Sequence, residues 1–506
     1  MKTCKIQAFI VLLILATIST ACGSPAAPLP QSSATPAPSP TALPRPTAKP
    51  SIDLQPCYLG STRALCGVLR VYEDRAARSG RMIDLRVAVI KAQSPDPAPD
   101  PIFYLAGGPG GAATEDAAKG QQFPSSLSDN HDLVFVDQRG TGGSNRVVIP
   151  PSPDLSGLSQ IEAEQQARAW VSDFLAGIDM DPRFYTTSVA MDDLDEVREA
   201  LGYDQINLVG YSYGATAAQY YLMQHEVHVH TVFLGGGSLL DIPVFERWAA
   251  NGQRALDRIF DLCQADSACH AAYPNLREEF SALMTRLATD PVTVTFADKS
   301  LGSATLTPDY LAPVIRLMTK NAKNDAALPL LIHRAYAEND WDGFRQFIEA
   351  NGNYEWWGDQ VMERVIRCGE KWAAFDPAEV ARLSAGSYLK GFDVWLAQAQ
   401  AAACQYTPLG VMPEGARPQP GSQVPMLIIN GDLDPIDPPE NMAGAKDLFP
   451  NSVALALPYQ GHSWSDYAAV TCMGSIQAEF IQTGSAQGLH TDCLKNLQPP
   501  RFITPD

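Results

Sequence analysis

Ser212 lies at the centre of a glycine-flanked pentapeptide, residues 210–214, with the sequence Gly-Tyr-Ser-Tyr-Gly. A serine hydroxyl is a weak nucleophile at neutral pH unless a base lies within hydrogen-bond reach and a third group orients that base. Glycines at both ends permit a sharp strand-to-helix turn, because side chains there would collide with the neighbouring strand and helix. The pentapeptide therefore predicts a nucleophilic serine at position 212.

An acid and a base that would complete this unit follow late in the chain. The segment 431–435, Gly-Asp-Leu-Asp-Pro, follows one apolar run, and His462 follows the next. Open α/β sheets place their functional groups at the carboxyl ends of strands. We therefore assign Asp434 as the orienting acid and His462 as the base, in the chain order serine, acid, histidine. Two other acids compete for the role of Asp434, namely Asp432 and Asp437.

A glycine-rich loop, residues 105–111, also follows an apolar run and reads Leu-Ala-Gly-Gly-Pro-Gly-Gly. Glycines let a backbone approach a reacting carbonyl closely. We predict that the backbone N–H groups of Gly108 and of Tyr213, the residue after the nucleophile, form an oxyanion hole. A phosphate-binding loop is the alternative, but no Gly-Lys-Ser/Thr follows.

Short apolar runs that end in turn residues are typical of buried parallel strands. Strands are predicted at 69–72, 83–90, 102–105, 133–136, 206–209, 231–234, 424–429 and 452–457. Helices are predicted over 188–201 and 215–223. The acids in the first part of the former helix, typical of a helix N-terminus, are Asp192, Asp193, Asp195 and Glu196. The pattern indicates an α/β fold with a mostly parallel central sheet.

A long stretch between two groups of predicted strands is mainly helical in pattern and rich in tryptophan. We interpret it as a helical lid inserted into one sheet-based domain. The predicted parts are a first core segment at 54–239, the lid at 240–420 and a second core segment at 421–506.

The motifs together resemble one family of α/β-hydrolases. The loop 107–110 (Gly-Gly-Pro-Gly), the segment 137–144 (Asp-Gln-Arg-Gly-Thr-Gly-Gly-Ser) and the pentapeptide 210–214 are similar to those of the proline iminopeptidase family. The helical insertion, the segment 365–370 (Val-Ile-Arg-Cys-Gly-Glu) and the late cysteine pair resemble its exported tripeptidyl aminopeptidase-like branch. The resemblance runs from about Phe103 to the C-terminus.

This resemblance implies an α/β-hydrolase fold and a catalytic triad of Ser212, Asp434 and His462 that removes N-terminal residues from peptides. Two positions depart from the family pattern. Ala106 stands where many relatives of the iminopeptidase branch have histidine, and Lys371 follows Glu370 where a pair of acids is frequent. The second departure bears on substrate recognition rather than on the triad.

Glu370 is the candidate for binding the protonated amine of a peptide substrate. An exopeptidase needs such a counterion, and a carboxylate near the lid would supply it. Glu363 or Glu355 could take the same role, and a salt bridge within the lid is the alternative reading of Glu370. Trp356 and Trp357 could line an apolar pocket, although aromatic residues in a helical insertion are more often core.

The composition excludes several classes of function. The formal net charge is −19, and the chain has no run of basic residues that would bind nucleic acid. No Cys-x-x-Cys pair or Cys/His cluster indicates a zinc site, so we predict neither a metal nor a cofactor.

We interpret Arg139 as a structural residue near the glycine-rich loop.

The first residues are typical of a bacterial export signal, predicted at 1–22. Lys2 and Lys5 precede a short apolar stretch, and small residues precede Cys22 as in a lipobox, which predicts a lipid on Cys22 and attachment to a membrane. Ser19 stands where leucine is preferred, so ordinary signal cleavage and secretion is the alternative. Residues 23–53 are rich in Pro, Ala, Ser and Thr and predict an extended tether.

Eight cysteines lie outside the predicted signal, an even number that fits an oxidising compartment. Proximity in sequence predicts the pairs Cys57–Cys66, Cys263–Cys269, Cys368–Cys404 and Cys472–Cys493.

The hypothesis that accounts for these residues together is an exported serine hydrolase, an aminopeptidase acting on peptides. A carboxylesterase or lipase is the alternative, because the same triad hydrolyses esters. A non-catalytic, lipid-anchored binding protein would account for the signal and tether but leaves Ser212, Asp434 and His462 unexplained.

Overall fold

The computed structural model describes residues 50–121, 123–148, 160–351, 361–371, 376–404 and 421–505. The predicted signal with Cys22, nearly all of the tether, and residues 355–357 lie outside these ranges. Within them, no helix combines the length and the apolar character that crossing a bilayer requires.

The described strands form a central sheet and a separate hairpin. In chain order they are β1 (Gln55–Leu59), β2 (Thr62–Tyr72), β3 (Met82–Ile90), β4 (Ile102–Leu105), β5 (Leu133–Val136), β6 (Ile206–Tyr211), β7 (Val229–Gly235), β8 (Val292–Thr295), β9 (Ser303–Leu306), β10 (Met426–Gly431) and β11 (Ser452–Leu457). The central sheet has the order β1-β2-β3-β5-β4-β6-β7-β10-β11. In this order, the neighbours from β1 to β5 pair antiparallel. The remaining neighbours, β5-β4-β6-β7-β10-β11, all pair parallel. The predicted mostly parallel sheet is therefore confirmed.

Helices cover both faces of this sheet. In chain order the described helices are α1 (Ala113–Ala118), α2 (Ser125–Ser128), α3 (Gln160–Gly177), α4 (Thr187–Leu201), α5 (Tyr213–His225), α6 (Trp248–Ala265), α7 (Ser267–Ala272), α8 (Leu276–Thr289), α9 (Pro308–Met318), α10 (Ala322–His333), α11 (Asp342–Asn351), α12 (Val361–Ile366), α13 (Pro377–Leu383), α14 (Lys390–Cys404), α15 (Ala445–Leu448) and α16 (Tyr467–Thr483). Single helical turns lie at Pro182–Phe184, Glu226–His228, Val244–Arg247, Arg334–Glu338, Arg367–Lys371, Pro439–Met442 and Asp492–Asn496.

Strand β4 illustrates why the strands on which the site is built are continuously apolar. Phe103 and Leu105 pack with α4 and α5 on one face, whereas Ile102 and Tyr104 pack with α1 and α16 on the other. All four side chains are buried. Because each such side chain stabilises the fold by roughly 1.5–3 kcal/mol when buried, the sheet is a rigid support for the loops at its carboxyl edge.

Helix α4 confirms the predicted helix, but its acids do not lie at the N-terminus. The helix begins at Thr187 with Thr186 as its cap, and its first turn holds no acid. Asp193 instead accepts two hydrogen bonds from the buried guanidinium of Arg139, at 2.7 and 2.9 Å. Arg139 also donates to the carbonyl of Phe184 at 2.8 Å, which supports its structural interpretation. Asp193 is thus placed by a buried polar partner rather than by the helix dipole.

Between β7 and β10 the described residues form helices α6 to α14 and the β8–β9 hairpin, which the sequence pattern did not predict. Several of these helices share a hydrophobic cluster, which includes Leu256, Phe260, Leu283, Leu311 and Leu328. The boundaries 240–420 for a lid domain remain a prediction.

All four predicted disulfide bonds are present. Cys57–Cys66 joins the paired strands β1 and β2, and Cys472–Cys493 joins α16 to the C-terminal segment. Cys263–Cys269 and Cys368–Cys404 lie within the stretch between β7 and β10. The predicted pairing is therefore confirmed.

Candidate active site

Ser212 occupies a strained turn between β6 and α5. Its φ is 55° and its ψ is −122°, a conformation that costs a non-glycine residue about 1–3 kcal/mol. A Cβ atom on Gly210 would lie 2.2 Å from the carbonyl oxygen of Gly214, and one on Gly214 would lie 2.1 Å from that of Leu105. Glycine is therefore sterically required on both sides of Ser212.

His462 lies between Ser212 and Asp434. Its Nε2 is 3.1 Å from Oγ of Ser212, and its Nδ1 is 2.8 Å from Oδ2 of Asp434. Asp434 is fully buried, and its Oδ1 accepts the backbone N–H groups of Ile436 and Asp437 at 2.7 and 2.9 Å. These bonds fix the carboxylate so that Oδ2 points at the imidazole. The structure thus brings together the three residues selected from the sequence.

The competing acids have other partners. Asp432 accepts from Arg258 at 2.8 Å and from the N–H of Tyr459 at 2.6 Å. Burial raises the pKa of Asp432, and Arg258 opposes that effect. Asp437 accepts from Ser238 at 2.5 Å, and its other oxygen is 3.9 Å from Nδ1 of His462. Of the three acids, Asp434 makes the short contact to the imidazole.

The loop that carries His462 lies between the end of β10 and the turn after α9. A Cβ on Gly431 would lie 2.2 Å from the carbonyl oxygen of Gln460, and one on Gly461 would lie 2.6 Å from that of Lys320. The N–H of Ser463 donates to the same Lys320 carbonyl at 2.7 Å. Backbone contact on both sides therefore sets the position of the imidazole.

The glycine-rich loop passes close to Ser212. A Cβ atom on Gly107 would lie 3.4 Å from Cβ of Ser212, and Gly108 has a φ of 125°, a value that favours glycine. The backbone N–H of Ser212 donates to Gly235 at 2.9 Å. Within the described ranges, the N–H groups of Gly108 and Tyr213 donate to no other residue. Both predicted oxyanion donors are therefore available to a ligand.

Glu370 is linked through Thr187 to Tyr213, the residue that follows Ser212. Its two carboxylate oxygens accept the backbone N–H and the hydroxyl of Thr187, both at 2.6 Å. The same hydroxyl is 2.7 Å from the phenolic oxygen of Tyr213. Burial raises the pKa of Tyr213, and the charge of Glu370 raises it further. Of the alternatives, Glu363 pairs with Arg367 at 2.6 Å, and Glu355 lies outside the described residues.

Sequence reasoning did not identify Lys320, whose backbone lies against the loop that carries His462. The charges of Asp434 and Asp437 act on its ammonium group, and its backbone contacts the His462 loop. No motif marks this lysine, because only the docking of α9 brings positions 320 and 462 together. Local sequence patterns do not reveal contacts between distant segments of the chain.

A single group of His and Asp side chains among the described residues has ligand atoms close enough together to hold a metal ion, namely Asp195, His225 and His228. Arg198 donates to Asp195 at 2.7 Å and thus already neutralises the carboxylate. The group is formed by α4, the end of α5 and the helical turn Glu226–His228, and it includes no member of the triad.

Comparison with known proteins places the chain in a family. The family model described as alpha/beta hydrolase fold matches residues 100–463. The serine protease Hip1 of Mycobacterium tuberculosis is 29% identical over 195 residues, which cover 34% of this chain and 36% of that protein, and Hip1 of Mycobacterium bovis gives the same values. The matched region thus spans about a third of the length of these curated relatives.

Solved structures are similar at lower identity. A proline iminopeptidase from Mycobacterium smegmatis is 14% identical, with 82% of this chain and 98% of that chain covered and a TM-score of 0.38. The alpha/beta hydrolase MGS-M2, from a Medee basin deep-sea metagenome library, is 14% identical, with 79% and 94% covered and a TM-score of 0.36. The match to the family model, over residues 100–463, covers most of this chain. The chain therefore belongs to the alpha/beta hydrolase fold family.

Proposed function

We propose that the protein is an exported serine hydrolase that releases N-terminal residues or short peptides from peptide substrates. The observation that carries the proposal is the hydrogen-bonded chain from Ser212 through His462 to the buried Asp434. His462 Nε2 takes the proton of the Ser212 hydroxyl as Oγ attacks the peptide carbonyl. Asp434 keeps the imidazole oriented and stabilises its protonated form.

The next step is collapse of the tetrahedral intermediate. The N–H groups of Gly108 and Tyr213 donate to the oxyanion, an effect worth roughly a hundred- to a thousandfold in turnover for one donor. His462 then gives its proton to the departing amine, which leaves an ester on Ser212. Water, deprotonated by the same imidazole, hydrolyses that ester and regenerates the enzyme.

The aminopeptidase assignment depends on Glu370. Thr187 holds its carboxylate beside Tyr213, where it would pair with the α-ammonium group of a substrate whose carbonyl lies at Ser212. A charge-assisted hydrogen bond of this kind favours a free amine over an acylated one. The similarity to serine protease Hip1 supports a peptidase, and membership of the tripeptidyl aminopeptidase-like branch remains a prediction.

Labelling with a fluorophosphonate tests the nucleophile. The native protein should be labelled, and Ser212→Ala should not, because the probe reacts with an activated serine hydroxyl. Ser281→Ala, a change at an exposed serine of α8, is the matched control and should label like the native protein. Labelling that persists in Ser212→Ala would refute the assignment.

A substrate comparison separates the peptidase from an esterase of the same fold. We expect aminoacyl or tripeptidyl arylamides to be cleaved, and their N-acetylated counterparts to be cleaved at least about tenfold more slowly, since acetylation removes the charge that Glu370 would bind. Glu370→Gln should abolish this difference in rate between free and acetylated substrates. Glutamine keeps the shape of the side chain and a hydrogen-bond acceptor but lacks the charge. Faster turnover of short acyl esters, with no effect of acetylation, would favour the esterase.

Export is supported by the four disulfide bonds, which persist in oxidising compartments. We further propose that Cys22 carries a lipid that attaches the protein to a membrane. Incorporation of a labelled fatty acid should be lost in Cys22→Ser and kept in the control Cys4→Ser. Equal incorporation in both variants would contradict the lipid anchor.

A further inference from the structure

Asp437 places a second carboxylate beside the imidazole of His462. Its Oδ2 lies 3.9 Å from Nδ1 of His462, the same nitrogen that lies 2.8 Å from Oδ2 of Asp434. The side chain of Asp437 is 8% exposed, and that of Asp434 is fully buried. Ser212 contacts the other imidazole nitrogen. One nitrogen of His462 therefore faces the nucleophile, and the other faces two buried acids.

Hydrogen bonds fix the Asp437 carboxylate in this place. Ser238, which follows the end of β7, donates to its Oδ1 at 2.5 Å. The backbone of Asp437 is held as well, because its N–H donates to Oδ1 of Asp434 at 2.9 Å and its carbonyl oxygen accepts from Asn430 at 2.6 Å. With the backbone and one carboxylate oxygen held, the second oxygen has little freedom to turn away from His462.

The bond with Ser238 indicates that Asp437 is an acceptor, as an ionised carboxylate is. Nδ2 of Asn441 donates to Oγ of Ser238 at 2.8 Å, so the single proton of that hydroxyl is left to point at Asp437. Ser238 and Asn441 are almost fully buried, and a hydrogen bond donated to a carboxylate favours its ionised form. The network therefore favours a negative charge on Asp437, close to Nδ1 of His462.

A charge at this distance acts on the protonated imidazole rather than on the neutral one. When Ser212 attacks a carbonyl, His462 takes the proton and becomes an imidazolium. An opposite charge within about 4–6 Å favours the charged form of a group, and low exposure limits the screening of that charge by water and salt. Asp437 meets this condition without the short hydrogen bond that Asp434 makes.

Lys320 is another charged group on which the two acids act. Burial lowers the pKa of Lys320 and Arg316 lowers it further, whereas Asp434 and Asp437 raise it. Removal of the Asp437 charge therefore acts on two cations, protonated His462 and Lys320. An experiment on Asp437 has to separate these two effects.

We propose, on the basis of the serine hydrolase mechanism given above, that Asp437 is a positioning residue that stabilises protonated His462 together with Asp434. Asp434 accepts the hydrogen bond of the imidazole and orients it, whereas Asp437 adds negative charge at longer range. The role of the orienting acid is thus divided between two residues of the turn that follows β10.

The rate of fluorophosphonate labelling tests this role, because the probe requires an activated Ser212 but no peptide substrate. Rates are measured from about pH 5 to pH 9, the range in which a histidine changes its charge. In Asp437→Asn the pH at which the rate reaches half its plateau should fall by about one unit, since the imidazolium loses an attractive charge. The plateau rate should fall by up to about tenfold, because a weaker base removes the Ser212 proton less readily.

Two further variants separate charge from structure. Ser238→Ala removes the hydroxyl that fixes Asp437 but keeps the charge, so it should shift the half-plateau pH far less than Asp437→Asn does. Asp432→Asn is the matched control, since it removes a charge that pairs with Arg258 and not with the imidazole, and it should keep the native half-plateau pH. Urea denaturation checks that each variant is folded. If Asp437→Asn does not fold, Asp437→Ser, which also lacks the charge, takes its place.

A double variant removes the contribution of Lys320. Lys320→Met combined with Asp437→Asn is compared with Lys320→Met alone. We expect the same fall of about one unit in the half-plateau pH, because His462 is present in both. A fall that occurs only when Lys320 is present would show that Asp437 acts through this lysine and would overturn the proposal.

Other results distinguish this proposal from the proposed function. A folded Asp437→Asn with the native half-plateau pH shows that the charge of Asp437 does not act on His462. An equal fall in Ser238→Ala or Asp432→Asn shows a structural effect, which also overturns the proposal. Labelling that persists in Ser212→Ala refutes the nucleophile, and this inference with it. If arylamides are not cleaved while labelling follows the expected profiles, the peptidase function is refuted and the role of Asp437 stands.

Discussion

The carbonyl oxygen of Lys320 accepts the backbone N–H of Ser463 at 2.7 Å, and this bond ties the end of α9 to the loop that carries His462. The imidazole is thus positioned by two parts of the chain, the sheet through β10 and the inserted helices through α9. A movement of the insertion would therefore move the proposed base relative to Ser212. We therefore expect catalysis to depend on the packing of the insertion at this contact.

Gly461→Ala tests this coupling. The new Cβ would lie 2.6 Å from the carbonyl oxygens of Thr319 and Lys320, so the loop or the end of α9 must shift. Because a misplacement of about 1 Å can cost a hundredfold in rate, we expect kcat/KM for an arylamide to fall by about tenfold to a hundredfold. Gly177→Ala, where nothing lies near the added atom, is the control and should leave the rate unchanged. An unaltered rate in Gly461→Ala would show that α9 does not set the position of His462.

Asp434→Asn tests the orienting acid against its nearest competitor. Asparagine keeps the shape but removes the charge that stabilises protonated His462, and the equivalent change in serine proteases costs about ten-thousandfold in kcat. Asp432→Asn should have a far smaller effect, since Asp432 pairs with Arg258 and not with the imidazole. The two variants should be compared in kcat with the same arylamide. A larger loss in Asp432→Asn would reverse the assignment.

The sequence predicted most strands because the central ones have both faces buried. Residues 102–105 and 133–136 are fully buried strands that begin and end at the predicted positions, since each apolar run stops at turn residues. Strand β1 was missed because most of its residues are exposed and carry no alternation. The β8–β9 hairpin was missed because it is short and lies within a helical stretch.

The residues of the candidate site likewise include some that the sequence predicted and some that it did not. Chain order and strand ends were sufficient to select Ser212, Asp434 and His462, because the fold brings strand ends to one edge of the sheet. Lys320 could not be found, since its contact with the His462 loop depends on how α9 docks. The acids of α4 were misread for a related reason: the buried partner of Asp193, Arg139, is 54 residues away in sequence.

Arg139→Met should be among the most destabilising single changes in the core. Arg139 and Asp193 are both almost fully buried, and loss of the guanidinium leaves the carboxylate with Arg75 as its remaining ion-pair partner. Breaking one side of a buried ion pair typically costs about 3–5 kcal/mol of unfolding free energy. Urea denaturation measures the loss, and the double variant Arg139→Met, Asp193→Asn should lose less than Arg139→Met alone. A double variant that is less stable than the single one would contradict the charge argument.

Asp393→Asn should alter how stability depends on pH. Burial raises the pKa of Asp393 from 3.8 to about 7, with Arg316 and the N–H of Ala249 opposing. The folded state therefore keeps this proton to higher pH than the unfolded state, so the contribution of Asp393 to the unfolding free energy falls as pH rises from about 4 to 7 and is constant above that range. Asparagine does not titrate, and the unfolding free energy of Asp393→Asn relative to the native protein should rise across the same window. Urea denaturation at a series of pH values gives this difference, and Asp290→Asn, at an exposed position, should show no such trend. A difference that is flat from pH 4 to 7 would mean that Asp393 is ionised in the folded protein throughout.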